Sequence, residues 1–301
     1  MQKELPHTEG TNPASKDLDT RSIAEIIEIM NLEDRKVVDA VAQARGQIEK
    51  AIEAVVETFN KGGRLFYVGA GTSGRLGVLD ASECPPTFSV DPEMVQGIIA
   101  GGDTALRKAV EGAEDDEEAG RQAIHVHDVR EGDTVIGISA SGLAAYVRGA
   151  LEEAKMLGAK TWLLTCNPKI VSSMQDLAFM IDGMIAVDTG PEIIAGSTRL
   201  KAGTATKFVL NMITTVSMVK MGKVYGNLMV DVNPTNKKLR DRAMRIISEA
   251  TGCEMGEAAE LLEKSGNRPK AAILMKIKGI GKETAEKIIL EKNGFLREAM
   301  K

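Results

Sequence analysis

Aromatic residues are scarce in this chain. Phe, Trp and Tyr make up 3% of its 301 residues, which excludes an interior organised by ring stacking. Bulk must come from aliphatic side chains, with the 15 methionines expected to fill the core. Cysteine is almost missing. Cys84, Cys166 and Cys253 form no Cys-x-x-Cys pair and no zinc-ligand spacing, which excludes a disulfide scaffold and fits a reduced compartment. A surplus of positive charge is missing too. The formal net charge of −5 argues against a general binder of nucleic acid or acidic membranes, and it requires local donors for any anionic ligand. No apolar run approaches the roughly 18 residues of a membrane span, and the first residues have no apolar core of the kind a signal peptide needs. The expectation is a cytoplasmic protein. What is present, 43% hydrophobic and 27% charged residues, suffices for a sizeable folded core.

Periodicity divides the chain into three parts. In an N-terminal arm with helices, residues 1–50, the first 20 residues are polar and turn-rich, expected to wrap the surface or pair with another subunit. Ile23, Ile26, Ile27 and Met30 then recur on one helical face, and 34–59 reads as a second long amphipathic helix ended by Gly63. In a central part, residues 51–230, short β-rich runs at 64–68, 95–100, 133–138, 161–165 and 184–187 alternate with helical stretches at 74–82, 105–124 and 143–157. That alternation predicts an α/β fold with a doubly wound parallel sheet flanked by helices, closed by a long helix at 200–221. A small helical domain, 235–301, follows with helices at 236–250, 254–264, 269–277 and 282–292.

Three loops carry chemistry. Gly69-Ala-Gly-Thr-Ser-Gly74 follows the first strand and opens a helix, so its backbone N–H groups make an anion site. Its spacing also satisfies the dinucleotide pattern, but the acidic residue that should end the second strand about 20 positions on to hold a ribose is not placed there, because that strand ends in Ala100-Gly-Gly-Asp103, too far along. Gly71, Thr72 and Ser73 therefore read as sugar-phosphate ligands, with a plain tight turn as the alternative. Ser139-Ala-Ser-Gly142 ends another strand before a helix; Ser139 and Ser141 are phosphate candidates, or else Ser139 is an ordinary helix cap. In the segment 190–207, Ser197 and Thr198 read as a helix cap with Arg199 in the first turn and Lys201 following. A cation there opposes the helix dipole, which points to an anion or acidic partner; the alternative is a solvated helix start.

Several stretches together resemble the N-acetylmuramic acid 6-phosphate etherases, members of the sugar isomerase (SIS) domain superfamily. They are Thr8-Glu-Gly-Thr-Asn-Pro-Ala-Ser15, the run from Gly69 to Thr87 containing Asp80-Ala-Ser-Glu-Cys-Pro-Pro86, Ile99-Ala-Gly-Gly102, Ala109-Val-Glu-Gly-Ala-Glu-Asp115, Gly196 to Lys207, and Gly222-Lys-Val-Tyr-Gly-Asn-Leu-Met-Val-Asp231. The segment 190–207 is also similar to glucokinase regulatory proteins, and the last fifty residues resemble a ubiquitin-associated-type helical bundle. The resemblance implies an SIS fold, a homodimer, and cleavage of a lactyl ether from a phosphorylated amino sugar, in cell-wall recycling. Elimination comes first and hydration second, without metal or organic cofactor.

The resemblance also implies two catalytic carboxylates, Glu83 and Glu114. An independent expectation supports Glu83: Pro85 and Pro86 should stop the helix, leaving Glu83 at its C-terminus, where the dipole and partial burial would raise its pKa. It would then protonate the departing lactate, with Glu114 as base. Without the resemblance, Glu114 belongs to an acidic run on a helix that reads as a solvated face. Other features carry less. His125 and His127 lack a third metal ligand, Cys84 lacks an activating histidine, and Lys278-Gly-Ile-Gly-Lys282 is one weak hairpin signal for nucleic acid in a chain not expected to bind it. Two other functions fit a sugar-phosphate site: a non-catalytic sensor and an aldose–ketose isomerase. The Glu83 and Glu114 motifs favour catalysis.

Overall fold

The computed structural model describes residues 7–170 and 177–301, so residues 1–6 of the expected arm lie outside the described residues. Its frame is a sheet of five parallel strands: β1 (Leu65–Gly69), β2 (Val95–Ile99), β3 (Thr134–Ile138), β4 (Lys160–Thr165) and β5 (Gly183–Ala186), in the order β2-β1-β3-β4-β5. Each lies where the β-rich runs predict it. Parallel strands need crossover connections, and helices on both faces supply them. Strands buried on both faces read as continuous apolar runs, as in Leu65-Phe-Tyr-Val68, where every residue is fully buried.

The helices are α1 (Ile23–Gln43), α2 (Arg45–Asn60), α3 (Gly71–Phe88), α4 (Gly102–Arg107), α5 (Glu117–Val126), α6 (Ala145–Met156) and α7 (Lys201–Lys220), with one further turn at Leu177–Met180. A second set comprises α8 (Lys237–Thr251), α9 (Met255–Lys264), α10 (Pro269–Lys278), α11 (Lys282–Glu291) and α12 (Leu296–Met300). The chain forms two compact units. One holds the residues up to Ser82 with Glu93–Thr214; the other holds Glu83–Pro92 with Thr215–Lys301.

In the first unit, Phe66, Val68 and Val135 join Tyr146, Val147 and Leu151 in one apolar cluster beneath α6. The opposite face receives α2, through a Thr58–Thr134 hydroxyl bond of 2.6 Å. It also receives α3, where a Cβ on Gly77 would meet the Tyr67 Cβ at 2.9 Å. Asp133, 1% exposed, accepts from the Arg64 backbone N–H at 2.8 Å and pairs with its guanidinium at 2.7 Å, pinning the start of β1 to that of β3. The second unit has its own core, including Val230, Ile247, Leu262, Ile273 and Leu296. There the buried Lys270 ammonium donates to Gly222 O (2.9 Å), Gly294 O (3.0 Å) and Asp231 (2.5 Å).

Five expectations need correction. The first long helix runs on to Gln43 and breaks at Ala44, because the sequence between Met30 and Asp34 contains nothing that stops a helix. The stretch 105–124 is not one helix: α4 ends at Arg107, where Lys108 turns extended, Gly112 follows at φ +76°, and Asp116 caps α5 by accepting from Ala119 N at 2.9 Å. Pro85 and Pro86 lie inside α3 rather than ending it. They cost the helix two N–H donors, yet Cys84 (2% exposed) and Phe88 (8%) are buried, and the helix ends only where Ser89 turns left-handed at φ +48°. Ser197 and Thr198 do not cap the long helix, because α7 starts at Lys201. Methionine borders the cores instead of filling them: among the described residues Met218 alone is fully buried, while Met180 and Met184 pack at the edge of the first cluster.

Helices α5 and α6 touch backbone to backbone. A Cβ on Gly120 would overlap Tyr146 O, and one on Gly149 would overlap Glu117 O. Gly120→Ala should therefore destabilise by roughly 1–3 kcal/mol, lowering the thermal midpoint by several degrees; calorimetry checks this. Asp80 supplies a pH test. It is 9% exposed, and burial pushes its carboxyl up to about 6 against the Thr214 and Tyr67 hydrogen bonds and the Lys207 charge. The folded state holds that proton more tightly than the unfolded chain. Its contribution is thus complete in acid and lost as pH rises through about 6. In denaturant titrations at pH 4.5 and 7.5, Asp80→Asn should flatten this loss, worth about 3 kcal/mol at most.

Candidate active site

Strand order reverses at β1. The chain leaves β1 for β2 on one side, then returns across it to β3 on the other. Such a reversal opens a crevice at the carboxyl ends of the two strands. The loop after β1 and the loop after β3 flank it, because Gly69 and Ile138 are paired in register.

The first loop is shaped by contact. A Cβ on Gly69 would lie 2.7 Å from Gly74 N, and one on Gly74 would lie 2.6 Å from Gly69 O, so neither position accepts a side chain. Gly71 takes a left-handed φ of +53°. Helix α3 thus begins immediately beyond the strand. The N–H groups of Gly71, Thr72 and Ser73 belong to its first turn and have no helical acceptor. The residue before them, Ala70, has no side-chain oxygen to cap them. An anion satisfies that arrangement.

The second loop is more self-contained. Ser139 is 4% exposed, and its Oγ accepts from Gly142 N (3.1 Å) and Ala144 N (3.4 Å). These bonds close the loop rather than cap α6, whose N-cap Ala144 offers no side-chain oxygen, and they leave the Ser139 hydroxyl proton as the group to donate. Ser141, half-buried, accepts from Leu143 N at 3.2 Å. Asn167, which sequence reasoning missed, donates to Ser141 O at 3.0 Å and braces this loop from the end of β4. Its only signal in the sequence is a polar residue closing an apolar strand.

The third segment differs from its expectation. Glu192, fully buried, accepts from Lys201 N and Ala202 N, both at 2.9 Å, and so occupies the N-terminus of α7 with an internal carboxylate. Lys201 is 1% exposed and donates to Glu33 at 2.8 Å, so it is no direct ligand. Arg199 is exposed, and Ser197 and Thr198 are half-buried in the turn before the helix. That turn belongs to the crevice wall: a Cβ on Gly203 would lie 3.5 Å from both Thr72 Cγ2 and Thr198 O.

Glu114 sits in a single 3-10 turn, Ala113–Asp115, and not on an α-helix. The glycine contacts described above lock the start of α5 against the first turns of α6. The Glu114 turn, just before α5, therefore lies at the carboxyl end of the sheet. Glu114 is an exposed residue, yet partial desolvation and then the Asp115 charge push its carboxyl above the ordinary range. Glu83 is exposed, within α3, and belongs to the second unit. The premise that it ends a helix fails. The histidines face different neighbours, His125 pairing with Glu153 at 2.9 Å and His127 with Gln96 at 3.2 Å. The second unit also contains a cavity of about 630 Å³, but its charges are matched internally, by Lys270 with Asp231 at 2.5 Å and Arg268 with Glu286 at 3.2 Å.

Comparison with known proteins settles the family. An N-acetylmuramic acid 6-phosphate etherase from Rhizobium rhizogenes is 51% identical over 294 residues, covering 97% of this chain and 94% of that one. Another, from Geobacillus thermodenitrificans, is 50% identical over 97% of this chain and 98% of its own. The chain belongs to the N-acetylmuramic acid 6-phosphate etherase family. Residues 47–155 also match the family model of the glucokinase regulatory protein N-terminal SIS domain. Among solved structures, a phosphoheptose isomerase from Neisseria gonorrhoeae is 16% identical, covering 65% of this chain and 98% of that one, with a TM-score of 0.48. Membership in the etherase family disfavours the sensor and the isomerase. Among the described residues, no helix is long and apolar enough to cross a membrane.

Gly74→Ala tests the glycine loop. Inorganic phosphate should raise the thermal midpoint of the wild type and leave that of Gly74→Ala unmoved, because the added carbon displaces the first turn of α3.

Proposed function

We propose that the crevice between β1 and β3 holds the 6-phosphate of N-acetylmuramate 6-phosphate, and that Glu83 and Glu114 serve the chemistry. The observation that carries this reading is the uncapped first turn of α3, Gly71 to Ser73, behind Ala70 at the reversal of strand order. Thr72, Ser73, Ser139 and Ser141 add hydroxyls around it, with Ser197 and Arg199 on the α7 side.

The reaction releases D-lactate and leaves N-acetylglucosamine 6-phosphate, a step in amino-sugar recycling from the cell wall. In the opened sugar, carbon 2 stands beside the aldehyde, so its proton is acidic. A base removes it, and the electron pair becomes the double bond between carbons 2 and 3. The bond from carbon 3 to the lactyl oxygen breaks, and an acid protonates that oxygen. Water then adds its oxygen to carbon 3, and carbon 2 regains a proton. No net oxidation occurs. Glu114 suits the base, because a carboxylate pushed above its ordinary range is more basic and better matched to a carbon acid. Glu83 takes the acid role.

Two copies of the chain are proposed to pair. Ile23, Ile27 and Val38 of α1 are 79%, 54% and 56% exposed and fall along one side of the helix, apolar groups that a second copy would cover. The cytoplasm is the proposed compartment, in keeping with three cysteines that form no disulfide.

Incubation with N-acetylmuramate 6-phosphate tests the reading. The wild type should release D-lactate, and Glu83→Ala and Glu114→Gln should each lose about 10²–10⁴-fold in rate, the usual worth of a positioned acid or base. In heavy water, Glu83→Ala should still exchange the carbon 2 proton, and Glu114→Gln should not. Absence of lactate from the wild type, or exchange by Glu114→Gln, overturns the assignment.

A further inference from the structure

Lys201 is buried in the first unit with both ends committed. Its backbone N–H donates to Glu192 at 2.9 Å and its ammonium to Glu33 at 2.8 Å. The same Glu33 oxygen accepts from Asn12 Nδ2 at 2.9 Å, and the other accepts from Lys36. Asn12 and Glu33 are 5% and 3% exposed. Burial opposes the charge on Glu33, but the hydrogen bonds from Lys201, Lys36 and Asn12 overcome it and hold the carboxyl at about 2. Asn12 also donates to Pro191 O at 3.2 Å.

These bonds belong to a longer seam. The N-terminal arm grips the segment leading into α7 through His7 with Asp188 (2.9 Å), Gly196 N with Thr8 O (3.3 Å) and Ser15 with Ile193 O (2.6 Å). Two stretches about 180 residues apart thus fix one turn. That turn carries Ser197, Thr198 and Arg199, and Gly203 just inside the helix faces Thr72 of the glycine loop. A buried lysine–glutamate pair is a poor source of stability, since removing two ions from water offsets most of their attraction. Its stronger effect is geometric: it permits one register of α7 against the arm and α1.

We propose that Lys201 is a positioning residue that, through Glu33 and Asn12, holds the start of α7 at the distance from the glycine loop that sugar-phosphate binding requires, without touching the substrate. This rests on the reading of the crevice given above.

The test compares Lys201→Arg, the paired replacement Lys201→Met with Glu33→Leu, and the milder Asn12→Leu, which keeps the ion pair. Each is followed by thermal melting, by lactate release, and by calorimetric binding of N-acetylglucosamine 6-phosphate. The paired replacement should keep the wild-type melting point within a few degrees, yet raise both KM and the product's Kd about tenfold, with a smaller loss in kcat, as expected when positioning of bound ligand is lost. Lys201→Arg should recover most of that loss, and Asn12→Leu should show a weaker change of the same kind. If the paired replacement folds and binds as the wild type does, the proposal is overturned. If it does not fold, Asn12→Leu decides, and unchanged KM and Kd there overturn the proposal too. The crevice reading fails separately: wild type that releases no lactate and binds no product sinks it whatever the Lys201 variants do.

Discussion

Gly69 and Gly74 approach so closely that neither can carry a side chain, and the placement of the site depends on that approach. A parallel strand must hand the chain to a crossover helix, and here the handover takes a single residue, Ala70. The helix start is therefore held at the end of the sheet with its N–H groups directed outward. A longer connection, or a side chain at either glycine, would carry that positive end away from the strand reversal and separate it from the serine loop after β3.

Charge distinguishes the start of α3 from that of α7 at the crevice. The chain is net acidic, so a phosphorylated ligand gains nothing from the overall field and must be bound by oriented dipoles and hydroxyls. Helix α7 is closed to such a ligand, because Glu192 already supplies its anion. Helix α3 is open, because alanine stands where a cap would be. A carboxylate built into the N-terminus of α7 and omitted from that of α3 turns the ligand away from the α7 terminus. Partial desolvation of Glu114 gives the same site a group whose proton affinity differs from that of an ordinary surface glutamate.

The five strands and most helices were legible in the sequence, since buried parallel strands leave apolar runs and their crossovers leave a helical period. The glycine loop was legible for the same local reason. What could not be read depends on distant partners. Pro85 and Pro86 suggest a stop, and only the burial of Cys84 and Phe88 carries α3 past them. Lys201 reads as a free cation, and only the fold delivers Glu33 to it. Glu192 reads as one more acidic residue, and nothing local shows that it lies over a helix start nine positions later. The break after Arg107 had only Gly112, five positions on, as its mark, and the acidic residues around that glycine read more strongly as a solvated helical face.

The ion pair between Glu33 and Lys201 joins residues 168 positions apart in the chain. A ribosome adding roughly 5–20 residues per second makes Glu33 some ten to thirty seconds before Lys201. During that interval α1 and the arm exist without the partner their polar groups are built to meet. Most of the sheet can assemble earlier, because all five strands are complete by Ala186. The crevice wall formed by α7 is thus the last part of the first unit to close, and a nascent chain stalled before Lys201 would carry a nearly finished fold with an unfinished binding site.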